Sequence, residues 1–134
     1  MPDTASNLPK LLVVDDDDAF LAFLEELLSR SQYQVLTASN GKDGVSAAMQ
    51  EIPDLIILDV MMPDMSGGMA AHYLSENIST QSIPIIFLTS IISEEQEMMV
   101  DNQEGNYQFL AKPIKVEHLL DEIEKCLKSD TLVD

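Results

Sequence analysis

Four short apolar runs, each halted by a polar residue, constrain this chain more than any other feature. Leu11 to Val14 stops at Asp15 and Asp16, Leu55 to Leu58 at Asp59, Ile85 to Leu88 at Thr89, and Phe109 to Ala111 at Lys112. Runs this short and continuously apolar, separated by segments of helical period, read as strands of a parallel sheet buried on both faces. Parallel strands end on one edge, and ligands of open α/β sheets bind along the carboxyl edge. Three carboxylates, a hydroxyl and an ammonium are therefore expected to converge there. Carboxylates that close raise one another's pKa values unless a cation sits among them. An all-oxygen acidic pocket suits Mg²⁺, which takes one or two carboxylates, keeps waters and completes its shell with phosphate oxygens.

The segments between the runs carry helix signals. The first helix starts in the acidic run, with Asp17 or Asp18 as its cap, and its apolar stripe is expected to be Phe20, Phe23, Leu24, Leu27 and Leu28. Tyr33 to Ala38 reads as the second strand, and Asn40-Gly41 as a turn into a short helix ending near Gln50. Met62 to Gly68 reads as a loop before a weak helix over Met69 to Glu76. Ser93 with Gln96 is a capping-box signal for a fourth helix through about Asn102, stopped by Gly105. The last helix places Val116, Leu119, Leu120, Ile123 and Leu127 on one side. The expected architecture is an α/β doubly wound sheet of five parallel strands with five helices, in the flavodoxin-like order 2-1-3-4-5. Residues 1–9 form an N-terminal extension, 10–128 one domain, and 129–134 a tail or the start of a linker.

Charge narrows the partners. With 24 acidic and 7 basic residues the net charge is -17, which argues against direct contact with nucleic acid or an anionic membrane, since both need Lys and Arg to neutralise phosphate. A protein partner surface is expected. The single cysteine, Cys126, cannot form an internal disulfide and reads as packing. Met1 to Pro9 is polar, with no signal-peptide pattern, and no apolar stretch approaches the roughly 20 residues of a membrane span. The expected location is the cytoplasm. His72 and His118 lack partners at metal-ligand spacing and read as surface residues.

The motifs Leu-Val-Val-Asp-Asp at 12–16, Asp-Leu-Ile-Ile-Leu-Asp-Val-Met-Met-Pro-Asp-Met-Ser-Gly at 54–67, Phe-Leu-Thr-Ser at 87–90 and Lys112-Pro113 occur in one order and spacing. In this the chain closely resembles the receiver domain of bacterial two-component response regulators, of which the single-domain chemotaxis regulator is the familiar case. The resemblance spans about residues 10–128. It implies that Asp59 accepts a phosphoryl group from a histidine kinase or histidine phosphotransfer protein. It also implies that Asp15, Asp16, Asp59 and the backbone carbonyl of Met61 hold Mg²⁺, with Mn²⁺ as a substitute. Thr89 and Lys112 would attend the phosphoryl group, Thr89 and Phe109 would act as the switch, and the bond before Pro113 would be cis. A downstream protein or output domain would bind the face of helix 4, strand 5 and helix 5, including Glu94, Met98, Met99, Phe109 and Lys115. A phosphorylation-dependent homodimer is also within the family's range. The domain would be a signalling acceptor that assists its own phosphorylation and dephosphorylation, not an enzyme with a separate substrate.

Other readings fit less well. Taken singly, Asp59 is a strand-end carboxylate, Thr89 a strand residue and Lys112 a surface charge; their recurrence at matching strand ends carries the argument. A haloacid-dehalogenase-type phosphohydrolase needs a second Asp where this chain has Met61. A flavin carrier would have to seat a phosphate on four consecutive Asp residues, 15–18. A degenerate receiver working as a constitutive protein-interaction module remains the alternative. Two departures from the family pattern are Gly44, where Ala is commoner, and Asn106, also usually Ala.

Overall fold

The apolar runs become the strands of one sheet in the computed structural model, which describes residues 8–90 and 107–131. The strands are β1 (Lys10–Val14), β2 (Gln34–Ala38), β3 (Leu55–Asp59), β4 (Ile85–Thr89) and β5 (Tyr107–Ala111), all parallel and ordered β2-β1-β3-β4-β5. Four helices lie among the described residues: α1 (Asp18–Arg30), α2 (Gly41–Glu51), α3 (Gly67–Ser75) and α4 (Val116–Thr131). The flavodoxin-like order is as expected. The further helix expected over Ser93 to Asn102 lies outside the described residues.

Period-two alternation divides the core into two layers. Leu12, Val14, Ile56, Leu58, Ile85 and Phe87 face α2 and α3, where Ala48, Ala70, Ala71 and Leu74 meet them. Leu11, Val13, Leu55, Ile57, Ile86 and Leu88 face the opposite way, against Leu21, Leu24 and Leu28 of α1 and Leu119 and Ile123 of α4. The sheet is thus covered on both sides, which is why its middle strands read as unbroken apolar runs.

Several boundaries differ from expectation. In α1 the buried stripe is Leu21, Leu24 and Leu28, while Phe23 is 48% exposed. The helix carries more apolar residues than one face can bury, and Leu21 sits closer to the sheet than Phe23. Strand β2 starts at Gln34 rather than Tyr33, and β5 starts two residues before the expected run, at Tyr107. Helix α3 starts at Gly67, inside the expected loop, because Ser66 caps it by accepting a bond from the Met69 N–H at 3.1 Å. Helix α4 continues through Ser129 to Thr131, into the segment expected to be a tail.

Gly44 has a local cause: a Cβ there would fall 2.8 and 2.9 Å from the two methyls of Val14, closer than side chains pack. The end of α2 carries strain. Ile52 caps it in the left-handed region at φ 46°, a conformation costly for a β-branched residue. Ile52 is exposed, so Ile52→Gly should stabilise the fold by about 1 kcal/mol. Calorimetry reads this as a higher midpoint of thermal unfolding, and an unchanged or lower midpoint would contradict the assignment of strain.

Candidate functional site

Strand order reverses between β1 and β3, and Asp15 and Asp59 stand at the carboxyl ends of these neighbours, one step past the paired residues Val14 and Leu58. Asp15 is fully buried and Asp59 is 5% exposed, whereas Asp16 is exposed at the rim. Carboxylate oxygens of Asp15, Asp16 and Asp59 all lie within 4.8 Å of one another. The four consecutive aspartates divide the work. Asp15 points into the crevice, where its Oδ1 accepts the Asp17 N–H at 2.9 Å. Asp17 caps α1, accepting from the N–H groups of Ala19 and Phe20 at 3.0 and 3.2 Å, and Asp18 opens the helix's first turn.

The β3–α3 connection shapes the other side. The Met61 N–H donates to Asp59 Oδ1 at 3.3 Å, putting the Met61 backbone beside that carboxylate, while Met61 is 70% exposed. The Val60 N–H donates to the Leu88 carbonyl and the Gly67 N–H to the Val60 carbonyl, both at 2.9 Å. These bonds bring the start of α3 back onto the strand end.

Lys112 arrives from β5. Its backbone N–H donates to the Thr89 carbonyl at 2.8 Å, and the Lys112–Pro113 bond is cis. Its ammonium donates to Asp15 Oδ2 at 2.8 Å and lies 3.8 Å from Asp59 Oδ1. Thr89 is 1% exposed at the end of β4, paired with Ala111. Phe109 is half-buried and stacked on Phe87 with ring centroids 4.9 Å apart, while Tyr107 meets the edge of Phe87 at 5.3 Å. Of the expected output face, Phe109 and Lys115 are placed; Glu94, Met98 and Met99 lie outside the described residues. His72 and His118 are exposed, as expected, with His72 3.3 Å from Glu76.

Electrostatics marks the crevice as short of positive charge. Burial pushes the Asp59 carboxyl up to about 6, the Asp15 charge adding to this and Asp16 contributing further, against the opposing pull of Lys112 and the Met61 N–H. Burial would lower the Lys112 ammonium, yet its hydrogen bond to Asp15 and the charges of Asp15, Asp59 and Asp17 outweigh this and raise it. One ammonium thus faces three carboxylates, two of them buried. This all-oxygen donor set with surplus negative charge fits a hard divalent cation such as Mg²⁺.

Phe20 is the functional candidate that sequence reasoning missed. Its ring lies under Lys112 Nζ, 4.6 Å from the centroid. An apolar residue in a helical stripe carries no sign of such a contact, because the partner comes from the opposite end of the chain.

A family model for the response regulator receiver domain matches residues 11–124. The chain belongs to that family. Protein PilH of Pseudomonas aeruginosa is 34% identical to this receiver domain over 120 residues, covering 90% of this chain and 98% of PilH. Response regulator PleD of Caulobacter vibrioides is 35% identical over 105 residues, covering 78% of this chain but 23% of PleD. The receiver domain thus spans nearly all of one relative and less than a quarter of another. Among solved structures, Vibrio cholerae chemotaxis protein CheY4 superimposes with a TM-score of 0.83 at 29% identity, covering 90% of this chain and 99% of that one. A response regulator receiver domain protein from Clostridium thermocellum also gives 0.83, at 26% identity, covering 95% and 100%. The expected membership in bacterial two-component systems is borne out.

Proposed function

We propose that this receiver domain accepts a phosphoryl group on Asp59 from the phosphohistidine of a histidine kinase or phosphotransfer protein. The observation that carries the reading is the convergence of Asp15, Asp16, Asp59 and Lys112 in one crevice at the carboxyl edge of the sheet. An Asp59 carboxylate oxygen attacks phosphorus and a new O–P bond forms. The P–N bond to the donor imidazole breaks, and its electron pair stays on the imidazole nitrogen. Such a transfer depends on positioning and charge neutralisation. Asp15, Asp16, Asp59 and the Met61 carbonyl would hold Mg²⁺, which cancels the repulsion between carboxylate and phosphoryl oxygens. Lys112, already within 3.8 Å of Asp59, neutralises the transferred group, and the Thr89 hydroxyl donates to it.

The acyl phosphate adds a charge of about -1.5 to -2 by analogy with other protein phosphates. Thr89 moves inward to meet it, and Phe109 changes its packing against Phe87. Because Phe109 lacks a hydroxyl, its two states differ in packing alone. The altered face of β5 and α4, including Lys115, then binds a downstream protein or output domain. No helix among the described residues is long and apolar enough to cross a membrane, and a phosphohistidine donor formed from ATP would meet the domain in the cytoplasm.

Intact mass after incubation with acetyl phosphate and Mg²⁺ tests this. A single phosphoryl adduct is expected, absent in Asp59→Asn and absent with EDTA. An adduct that survives Asp59→Asn would move the acceptor elsewhere. No adduct and no Mg²⁺ binding in a folded protein would favour the constitutive interaction module.

A further inference from the structure

Lys112 has neighbours on three sides. Asp15 Oδ2 is 2.8 Å from its ammonium, Asp59 Oδ1 is 3.8 Å away, and the Phe20 ring closes the third side at 4.6 Å. The carboxylates alone do not fix where it rests. Asp16 and Asp17 stand exposed at the same rim, and Asp17 acts on the ammonium electrostatically, so an unconfined lysine has other charges to visit. A ring face attracts an ammonium without accepting a conventional hydrogen bond from it. A carboxylate in that place would hold the ammonium's protons back from an incoming phosphoryl group, and an aliphatic side chain would not attract it.

The ring is itself held in place. Phe20 is half-buried, packs on the core layer of α1 and α4, and has the Phe23 ring 6.4 Å away. Its backbone N–H donates to the Asp17 cap at 3.2 Å, which ties the ring to the acidic run that builds the crevice. We propose that Phe20 is a positioning residue, its ring face holding the Lys112 ammonium beside Asp59 while leaving the protons not given to Asp15 free for the transferred phosphoryl group. This deepens the reading of Asp59 as acceptor and rests on it.

The test joins a structural and a kinetic readout. In the unphosphorylated protein, NMR of the Lys112 ε-methylene protons should show an upfield ring-current shift that is lost in Phe20→Leu and kept in Phe20→Tyr. Phosphorylation by acetyl phosphate with Mg²⁺ should slow about fivefold in Phe20→Leu, and Phe20→Tyr should restore the rate. In a Lys112→Ala background, Phe20→Leu should cost nothing more. Mg²⁺ affinity should not weaken in Phe20→Leu. Equal slowing with and without Lys112, equal slowing by Leu and Tyr, or joint loss of rate and Mg²⁺ affinity would each overturn the proposal in favour of simple packing. A wild-type protein that takes no phosphoryl group would overturn the acceptor reading and the kinetic role together. The proton shift needs no phosphorylation and separately decides whether the ring holds Lys112.

Discussion

Gly67→Ala is expected to destabilise the domain by about 3 kcal/mol or more, whereas Gly68→Ala, one residue on, is expected to stabilise it by up to about 1 kcal/mol. A Cβ on Gly67 would lie 2.3 Å from the Asp59 carbonyl oxygen and 3.0 Å from both the Asp59 carbonyl carbon and Val60 Cα. All three are backbone atoms at the end of a central strand paired on both sides, so no side chain can swing away to make room. Overpacking of this kind sits at the upper end of its usual cost. A Cβ on Gly68 would have Ser66 Oγ as its nearest neighbour, at 3.9 Å, so that variant keeps only the gain in helix propensity. Thermal unfolding should separate the two by well over 10 °C, at roughly 4 °C per kcal/mol for a domain of this size. Because the displaced strand end carries Asp59, Gly67→Ala should also lose phosphorylation, and Gly68→Ala should not. Equal and small effects at both positions would refute the close approach of α3 to the strand.

That contrast shows where the sequence was legible. The middle strands could be read directly, because burial on both faces leaves no polar position in Leu11 to Val14, Leu55 to Leu58 or Ile85 to Leu88. Edge strands have one open side. Strand β5 begins with Tyr107-Gln108 and is only half-buried, so its first two residues do not stand out from a loop. The start of α3 was missed because two glycines weaken a helix locally, and the need for Gly67 exists only once β3 lies against it. In the crevice, Asp15, Asp59 and Lys112 were legible as residues that end apolar runs, and the family resemblance supplied their roles. Phe20 was not, because its contact with Lys112 joins α1 to the end of β5. The raised Asp59 carboxyl was legible in its direction, since converging carboxylates are expected to raise one another, but its larger cause, burial, shows only in the folded chain.

Lys112→Ala should have opposite effects on the two activities of the crevice. Phosphorylation by acetyl phosphate should fall about 100-fold, the usual cost of removing a group that stabilises transition-state charge. Mg²⁺ should bind more tightly, because the cation no longer shares Asp15 and Asp59 with an ammonium. Stability without metal should fall by about 2 kcal/mol at pH 8, below the 3–5 kcal/mol of a fully buried pair because Lys112 keeps some contact with water. The sign with pH follows from Asp59. Its carboxyl titrates near 6 in the folded protein against an ordinary 3.8, so between those values the native state binds more protons than the unfolded state. Stability therefore declines as pH rises from about 4 through 6 and levels off above. Lys112 opposes the upward shift, so its removal carries the decline to higher pH and makes the deficit larger at pH 8 than at pH 5. Lys112 itself titrates above the ordinary lysine range, so its contribution in the wild type is complete across that window. Saturating Mg²⁺ stabilises both proteins and should narrow the gap by the ratio of their Kd values, about 1.4 kcal/mol for each tenfold by which Lys112→Ala binds more tightly. Denaturant titrations at pH 5 and 8 with and without Mg²⁺, beside calorimetric Mg²⁺ binding, check each part. A deficit independent of pH and metal, or weaker Mg²⁺ binding in Lys112→Ala, would mean that Lys112 serves the packing of the β5 end and not the charge balance of the crevice.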